Sequence, residues 1–364
     1  MLAPIRDYLG PQDPKSSPLL CAIKDHYFTR LSVFVDPSRP GFGEARWIVS
    51  EDVNVEHLLD VFTSIDTSSG DFWDACCNFM QHILWHKPRQ TVLGPKIEDL
   101  PDDHPSKPKC LFRLSRLLQL IANHQEEKRL LTHALKLQRD RRDGDGFVAE
   151  ILRRLSEANR FLDLLEEGMQ RAKEALEFSE RLGDAFEQAL SLDCLAWLLF
   201  DLGQFDAAEA AAFRILDLVP EKGQEYLVCR SHRLLGNIYW SKEGKEKAVH
   251  HLETAIAIAS PFNWHREIFW NYYTLVQLCV KERKFDQANA QIERAKPHAM
   301  DDTYMLARLM EVQADVWYRE RKLERARTEV LRAQEIYKKC GAAADVEDSE
   351  VLLQKIARAM IPEA

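Results

Sequence analysis

Leu234-Leu235-Gly236-Asn237-Ile238-Tyr239, followed by Gly244 and then by Ala248, Leu252 and Ala255, is the stretch whose reading decides the fold. Apolar residues recur at three- and four-residue steps on both sides of Gly244, the pattern of two amphipathic helices joined by a short turn. The pattern is repeated along the chain. Leu114, Leu155, Leu195, Leu235, Leu275 and Gln313 hold the same slot, at intervals of 41, 40, 40, 40 and 38 residues. A fixed period in this range marks an array of helical hairpins, each burying its apolar face only against its neighbours. Such an array leaves a long inner surface free, so function is expected in recognition rather than in chemistry.

The units differ in clarity. In the third, Leu195, Ala196 and Leu199 lie in the first helix, Gly203-Gln204-Phe205 makes the turn, and Ala208, Ala212 and Ile215 follow before Pro220. The fifth carries Leu275, Cys279, Phe285, Ala288 and Ala295; the sixth carries Ala314, Trp317, Leu323, Ala326 and Ala333. The first two are weaker and rest mainly on spacing. Small residues let the two helices of a unit approach closely while Leu, Tyr, Trp and Phe fill the space between units. Enlarging Ala208 or Ala248 to Leu is expected to cost about 1–3 kcal/mol by overpacking. Val346 to Met360 closes the array, with Val351, Leu352, Ile356 and Met360 expected on one apolar stripe and Asp348, Glu350 and Lys355 outside it.

Proline divides the chain. Eleven of its 15 prolines fall in the first 108 residues, five of them between Pro88 and Pro108. Because proline stops helices, residues 88–108 read as an extended linker. The organisation expected is a mostly helical region over 1–87, the linker 88–108, and the repeat array with its closing helix over 109–364. Within the first region Pro18–Phe34 reads as a helix, Arg46–Val53 as a short extended segment, and Val55–Ile65 as a helix capped by Asn54. Asp71–His86 reads as an apolar helix with Phe72, Ala75, Cys76, Phe79, Ile83 and Leu84 near one face.

A formal net charge of −9 argues against nucleic acid or an anionic membrane as the main partner, since both reward clustered Lys and Arg. Eight cysteines without a CxxC pair suit free thiols in a reducing compartment. With no basic start followed by a long apolar run and no eighteen-residue apolar stretch, the expected location is the cytosol.

No chemistry-bearing constellation is complete, and neither catalysis, a cofactor nor a metal is expected. His82 and His86 have zinc-compatible spacing, but no glutamate or third ligand completes a site. Asp140–Glu150 aligns with a calcium loop only by placing Arg141 at the first ligand and Leu152 at the closing glutamate, so an inter-repeat turn is the plainer reading. Gly244-Lys245-Glu246 lacks the first glycine and the Ser/Thr of a phosphate-binding loop.

The Leu-Gly, Tyr, Gly-x-aromatic and Ala spacing resembles the tetratricopeptide repeat, in the subclass with longer linkers. The resemblance implies an all-α, right-handed tetratricopeptide-type α-solenoid of about six repeats. Met1-Leu2-Ala3-Pro4-Ile5-Arg6-Asp7-Tyr8-Leu9, Pro14–Leu20 and Asp52–Leu59 are similar to the winged-helix region that follows the nucleotide-binding module of fungal STAND-type (NB-ARC or NACHT) ATPases, in which a tetratricopeptide array serves as sensor. No GxxxxGK[ST] occurs in the 364 residues, so ATPase activity is not carried over. The chain is then expected to be a sensor half, standing alone or cut from a longer regulator.

Projecting each first helix on a wheel leaves one face unused within its own unit. That face carries Asp193, Trp197 and Phe200, then Arg230, Arg233, Asn237 and Trp240, then Trp270, Tyr273, Gln277 and Lys281, then Arg308, Glu311, Asp315 and Tyr318. Rings among Arg and Asn suit a peptide or protein partner. The candidate contact residues are Trp197, Arg230, Arg233, Asn237, Trp240, Tyr273, Gln277, Lys281, Arg308 and Asp315; self-association is also open. Arg233 and Asn237, one turn apart, resemble a basic-plus-asparagine pair that grips carboxylates in some tetratricopeptide domains. Replacing both by Ala is expected to abolish partner capture and leave thermal unfolding unchanged.

Overall fold

The computed structural model describes residues 26–27, 31, 55–60, 70–86, 91–120, 123–141, 145–219, 223–299, 303–340 and 342–361. These residues are helical with short turns, and contacts group the chain into two compact units, Met1–Gly144 and Asp145–Ala364. Met1–Leu9, Pro14–Leu20, Arg46–Val53, Asn54 and the side chains of His82, Ile83, Leu84 and His86 lie outside what is described. Of the two early expected helices, residues 26–27, 31 and 55–60 are helical.

In the first unit, α1 (Gly70–His86) buries Phe72, Ala75, Cys76 and Phe79 as their spacing requires. Trp73, Cys77 and Met80 are buried too, so its apolar surface is a wide arc rather than one face, leaving Asp74 in solvent. The arc is filled from α3 (Lys107–Leu120), whose Cys110 Sγ lies 3.5 Å from Cys77 Sγ. Of the expected extended run 88–108, the part described, from Thr91 on, differs from that expectation, because it carries α2 (Leu93–Glu98). After it, the buried Lys107 ammonium donates to the Leu100 carbonyl, to the Glu98 carbonyl at 3.1 Å and to Asp102 Oδ1 at 2.8 Å. Three acceptors on one amine turn a proline-rich segment into a fixed corner. Helix α4 (His124–Asp140) packs on α3 as the first hairpin.

The second unit stacks five hairpins and a closing helix: α5 (Asp145–Phe161) with α6 (Leu165–Leu182), α7 (Ala185–Asp201) with α8 (Phe205–Leu218), α9 (Glu225–Ser241) with α10 (Lys245–Ala259), α11 (His265–Lys281) with α12 (Phe285–Ala299), α13 (Thr303–Arg319) with α14 (Leu323–Cys340), then α15 (Ala343–Met360). The hairpin of the first unit has the same two-helix form, so the described residues hold six hairpins of the tetratricopeptide type, five of them stacked in the second unit.

The period is written into the backbone. The amides of Asn123, Leu164, Gln204, Gly244, Lys284 and Lys322 each donate to the carbonyl of the residue five positions earlier, at 2.7–3.0 Å. Their spacing is the same 41, 40, 40, 40 and 38 as that of the leucine slot. Each bond closes a helix end by satisfying an orphan carbonyl. The closure needs a left-handed residue just before it, at Asp163, Gly203, Glu243, Arg283 and Arg321, with φ between 58° and 72°. Gly203 is the one glycine of that set; Gly244, matched to it by motif, sits one position later with φ −86°.

Close packing explains the other conserved sizes within the array. Gly168, Ala208, Ala248, Ala288 and Ala326 occupy one buried slot at the start of each second helix. Gly236 faces α10 so tightly that a Cβ there would stand 2.7 Å from Leu252 Cγ. Along α15, Ile356, Leu352, Leu353 and Met360 pack on Ala314, Ala326 and Val330. Val351, expected on that stripe, is instead 49% exposed, because the helix turns its 353 rather than its 351 position inward.

Candidate functional site

The ten predicted contact residues fall on the first helices of successive hairpins and part into two sets. Trp197 on α7 and Arg230, Arg233 and Asn237 on α9 form the first. Their charges are paired inside the chain, although Trp197 Nε1, Arg230 Nε and Arg233 Nε find no acceptor. Arg230 Nη2 lies 2.6 Å from Asp193 Oδ2 and 3.4 Å from Glu157 Oε1, and Arg233 Nη1 lies 3.4 Å from Glu267 Oε2. The Arg160 and Arg233 guanidinium carbons stand 4.8 and 5.0 Å from the centre of the Trp197 ring. Asn237 Nδ2 donates to the Arg233 carbonyl at 3.1 Å, and its Oδ1 accepts from Thr274 Oγ1 at 3.4 Å. Burial alone would push the Glu267 carboxyl up, yet Arg233, Arg230 and Arg266 hold it below its usual value, so it stays ionised. Arg233 and Asn237 are thus engaged within the array, and replacing them bears on stability as well as on any partner.

Trp240, Tyr273, Gln277, Lys281, Arg308 and Asp315 form the second set, and the fold brings all six to one open cleft of about 670 Å³. The cleft runs past the C-terminal parts of α9 and α11, along α13, and up to α15. Tyr273 is buried, its ring 5.2 Å from the Arg308 guanidinium, and that burial raises its phenol above the ordinary value. Glu311 is also pushed up, by burial first, with Arg308 and the Tyr337 hydroxyl working against it. Gln277 and Lys281 are exposed.

Four lining residues from α15 were not among the predicted contacts: Asp348, Val351, Leu352 and Lys355. Sequence reasoning gave that helix a capping role alone; the pairing of an unburied Val351 with Lys355 one turn on is the signal that it also presents a second face. Tyr318 and Trp270, placed on the inner face by the wheel, pack instead into the core clusters of their own hairpins.

The other chemistry-bearing groups are structural. Burial pushes the Cys194 and Cys229 thiols up to about 12 and raises that of Cys76, which leaves them protonated and poor nucleophiles. Lys245, in the phosphate-loop imitation, pairs with Glu282 at 2.6 Å. The calcium-loop alignment falls on the start of α5, where Leu152 is fully buried. Among the described residues no group of three or more His, Cys, Asp or Glu is placed to hold a metal ion, and no helix is long and apolar enough to cross a membrane.

No protein-family profile matches the chain, and no curated protein matches it in sequence. Solved structures share its fold. A Rap protein complexed with Competence and Sporulation Factor aligns over 93% of this chain and 98% of its own, with TM-score 0.60 at 13% identity. The Rap conjugation gene regulator of plasmid pLS20, complexed with the Phr* peptide, aligns over 95% and 99%, with TM-score 0.54 at 13% identity. A tetratricopeptide repeat protein from Parabacteroides merdae aligns over 83% and 99%, with TM-score 0.51 at 15% identity. At these identities the likeness is one of architecture, a tetratricopeptide-type helical repeat.

Proposed function

We propose that this chain is a non-catalytic recognition module that takes a peptide, or an extended segment of a protein, in the cleft of its second unit. One observation carries the reading: six residues picked from three repeats by helical register converge on a single open cavity. Its volume of about 670 Å³ falls within the roughly 300–1,000 Å³ range of ligand pockets. Two structures of the same architecture were solved with a bound factor or peptide, which supports such a use of this one. The protonated, buried thiols support binding over covalent catalysis, and, with the six cysteines among the described residues free, a reducing cytosolic setting.

A displayed random-peptide library selected against the full chain tests the proposal. Wild-type protein is expected to enrich related sequences. Gln277→Trp with Val351→Trp, which fill the cleft from exposed positions, is expected to lose them without a change in thermal unfolding. No enrichment, or enrichment indifferent to the filled cleft, removes the reading. The alternative, a sensor fragment of a STAND ATPase or transcription regulator, is carried by the N-terminal resemblance alone, and a nucleotide-binding module encoded upstream of Met1 is what would favour it.

A further inference from the structure

The charges on the cleft walls divide into those already committed and those left over. Arg308 Nη1 lies 2.7 Å from Asp345 Oδ1 and 3.4 Å from Glu311 Oε2. Arg319 Nε holds both oxygens of Asp315, at 3.1 and 3.0 Å. These two guanidiniums and three carboxylates are committed to one another, and burial weakens the acidity of one of the three, Glu311.

Lys281, Lys355 and Asp348 remain. Among the described residues neither lysine has a carboxylate partner; Lys281 Nζ has only the Trp240 ring, 4.4 Å from its centroid. The Nε of Arg308, buried in the same wall, also lacks an acceptor. The uncommitted charge of the cleft is therefore two ammonium groups against one carboxylate, on a chain whose formal net charge is −9. A cationic spot on an acidic protein selects by charge complementarity and repels partners that resemble the rest of its own surface least. Apolar area lies beside it in Trp240 and in the exposed Val351.

We infer that the occupant is a peptide carrying an acidic side chain next to an aliphatic one, the carboxylate received by Lys281 and Lys355 and the aliphatic group laid on Val351 and Trp240. The inference rests on the cleft being a peptide site. Helices α11 and α15 both contact α13, and both lysines line the one cleft.

Fluorescence anisotropy of the full chain with three pools of labelled hexapeptides tests it: one position fixed as Asp or Glu, as Asn or Gln, or as Lys or Arg, the others random among uncharged residues. The acidic pool is expected to bind about tenfold or more tighter than the amide pool, as a charge-assisted hydrogen bond implies. Its advantage is expected to shrink as salt rises and to vanish in Lys281→Gln with Lys355→Gln, two exposed positions whose replacement leaves the fold intact. Equal binding of the acidic and amide pools, or a preference for acid that survives the double substitution, overturns the acidic specificity while leaving peptide binding standing. Failure of all three pools to bind overturns both.

Discussion

The two halves of the inner face use like residues to opposite ends. Around Trp197, Arg230 and Arg233 every charge meets another from a neighbouring first helix, and the surface closes over them. In the cleft Arg308 and Arg319 are paired in the same way, but Lys281, Lys355 and Asp348 stay open. The slots are equivalent by register: Arg230 corresponds to Arg308 two repeats on, and Trp197 to Gln277. What differs is the residue three or six positions before the same slot in the next repeat. Asp193 and Arg230, Asn237 and Thr274, and Arg308 and Asp345 are each 37 apart, while Arg153 and Glu187, and Arg233 and Glu267, are 34 apart. Where the residue at that offset is complementary the face is scaffold; where it is not, the side chain is left for a partner. For Lys355 the residues 34 and 37 earlier are Arg321 and Tyr318, and for Lys281 the residue 34 later, Asp315, is already held by Arg319.

The largest effect that breaks or sustains this contrast is at Arg233. Removing it leaves Glu267, 7% exposed, without its nearest counter-charge, and breaking a buried pair costs roughly 3–5 kcal/mol. Arg233→Ala is expected to lower the unfolding free energy by about that amount in denaturant titration. Adding Glu267→Gln is expected to return most of it, since the lone charge rather than the lost bond dominates. A neutral Arg233→Ala variant places Arg233 with the open set.

A smaller effect probes what the halves share. Behind both, hairpin packing follows the same rule, so Gly236→Ala, driving a methyl to within 2.7 Å of Leu252 Cγ, is expected to cost about 1–3 kcal/mol with peptide affinity unaltered. Smaller again is a pH effect in the hairpin that carries the closed half. His232 Nδ1 and His251 Nδ1 lie 2.9 Å apart, and His251 stacks on Tyr239. Burial first, then His232, His250 and Lys247, hold His251 down at about 4, against an ordinary 6.5. The neutral imidazole is the folded form, so the unfolded chain binds the proton more readily. Stability is then present above pH 6.5 and is lost as pH falls towards 4. His251→Phe, which keeps the stacking, is expected to flatten the melting temperature against pH over that window.

Much of this was legible in the residues. The period, the helices and the small-residue slots all follow from spacing, because a solenoid's contacts are local and repeat with its sequence. The wheel also found the inner face. It could not separate the closed half from the open one, since a wheel treats each helix alone and the closed half is made by pairs 34 and 37 residues apart. Gly244 marked the turn between α9 and α10, but the pattern did not show that Glu243 takes the left-handed position there, a strain the hairpin closure outweighs. Helix α15 was read by its buried stripe alone, so Val351 was assigned to the core and its contribution to the cleft was missed.

The smallest expected effects belong to the open half, and their smallness is the point. Lys355 is exposed and carries no ion pair among the described residues, so Lys355→Ala is expected to shift stability by no more than about 0.5 kcal/mol. Lys281 has one contact to lose, its place over the Trp240 ring, which at an exposed site is worth about 0.5–1 kcal/mol. Lys281→Ala should therefore cost less than about 1 kcal/mol in the same denaturant titration that reads several for Arg233→Ala. Side chains that do so little for the fold while standing charged in a cleft are free to be answered from outside it. A cost at Lys281 comparable with that at Arg233 would mean the second half is scaffold as well, and the contrast between the halves would be gone.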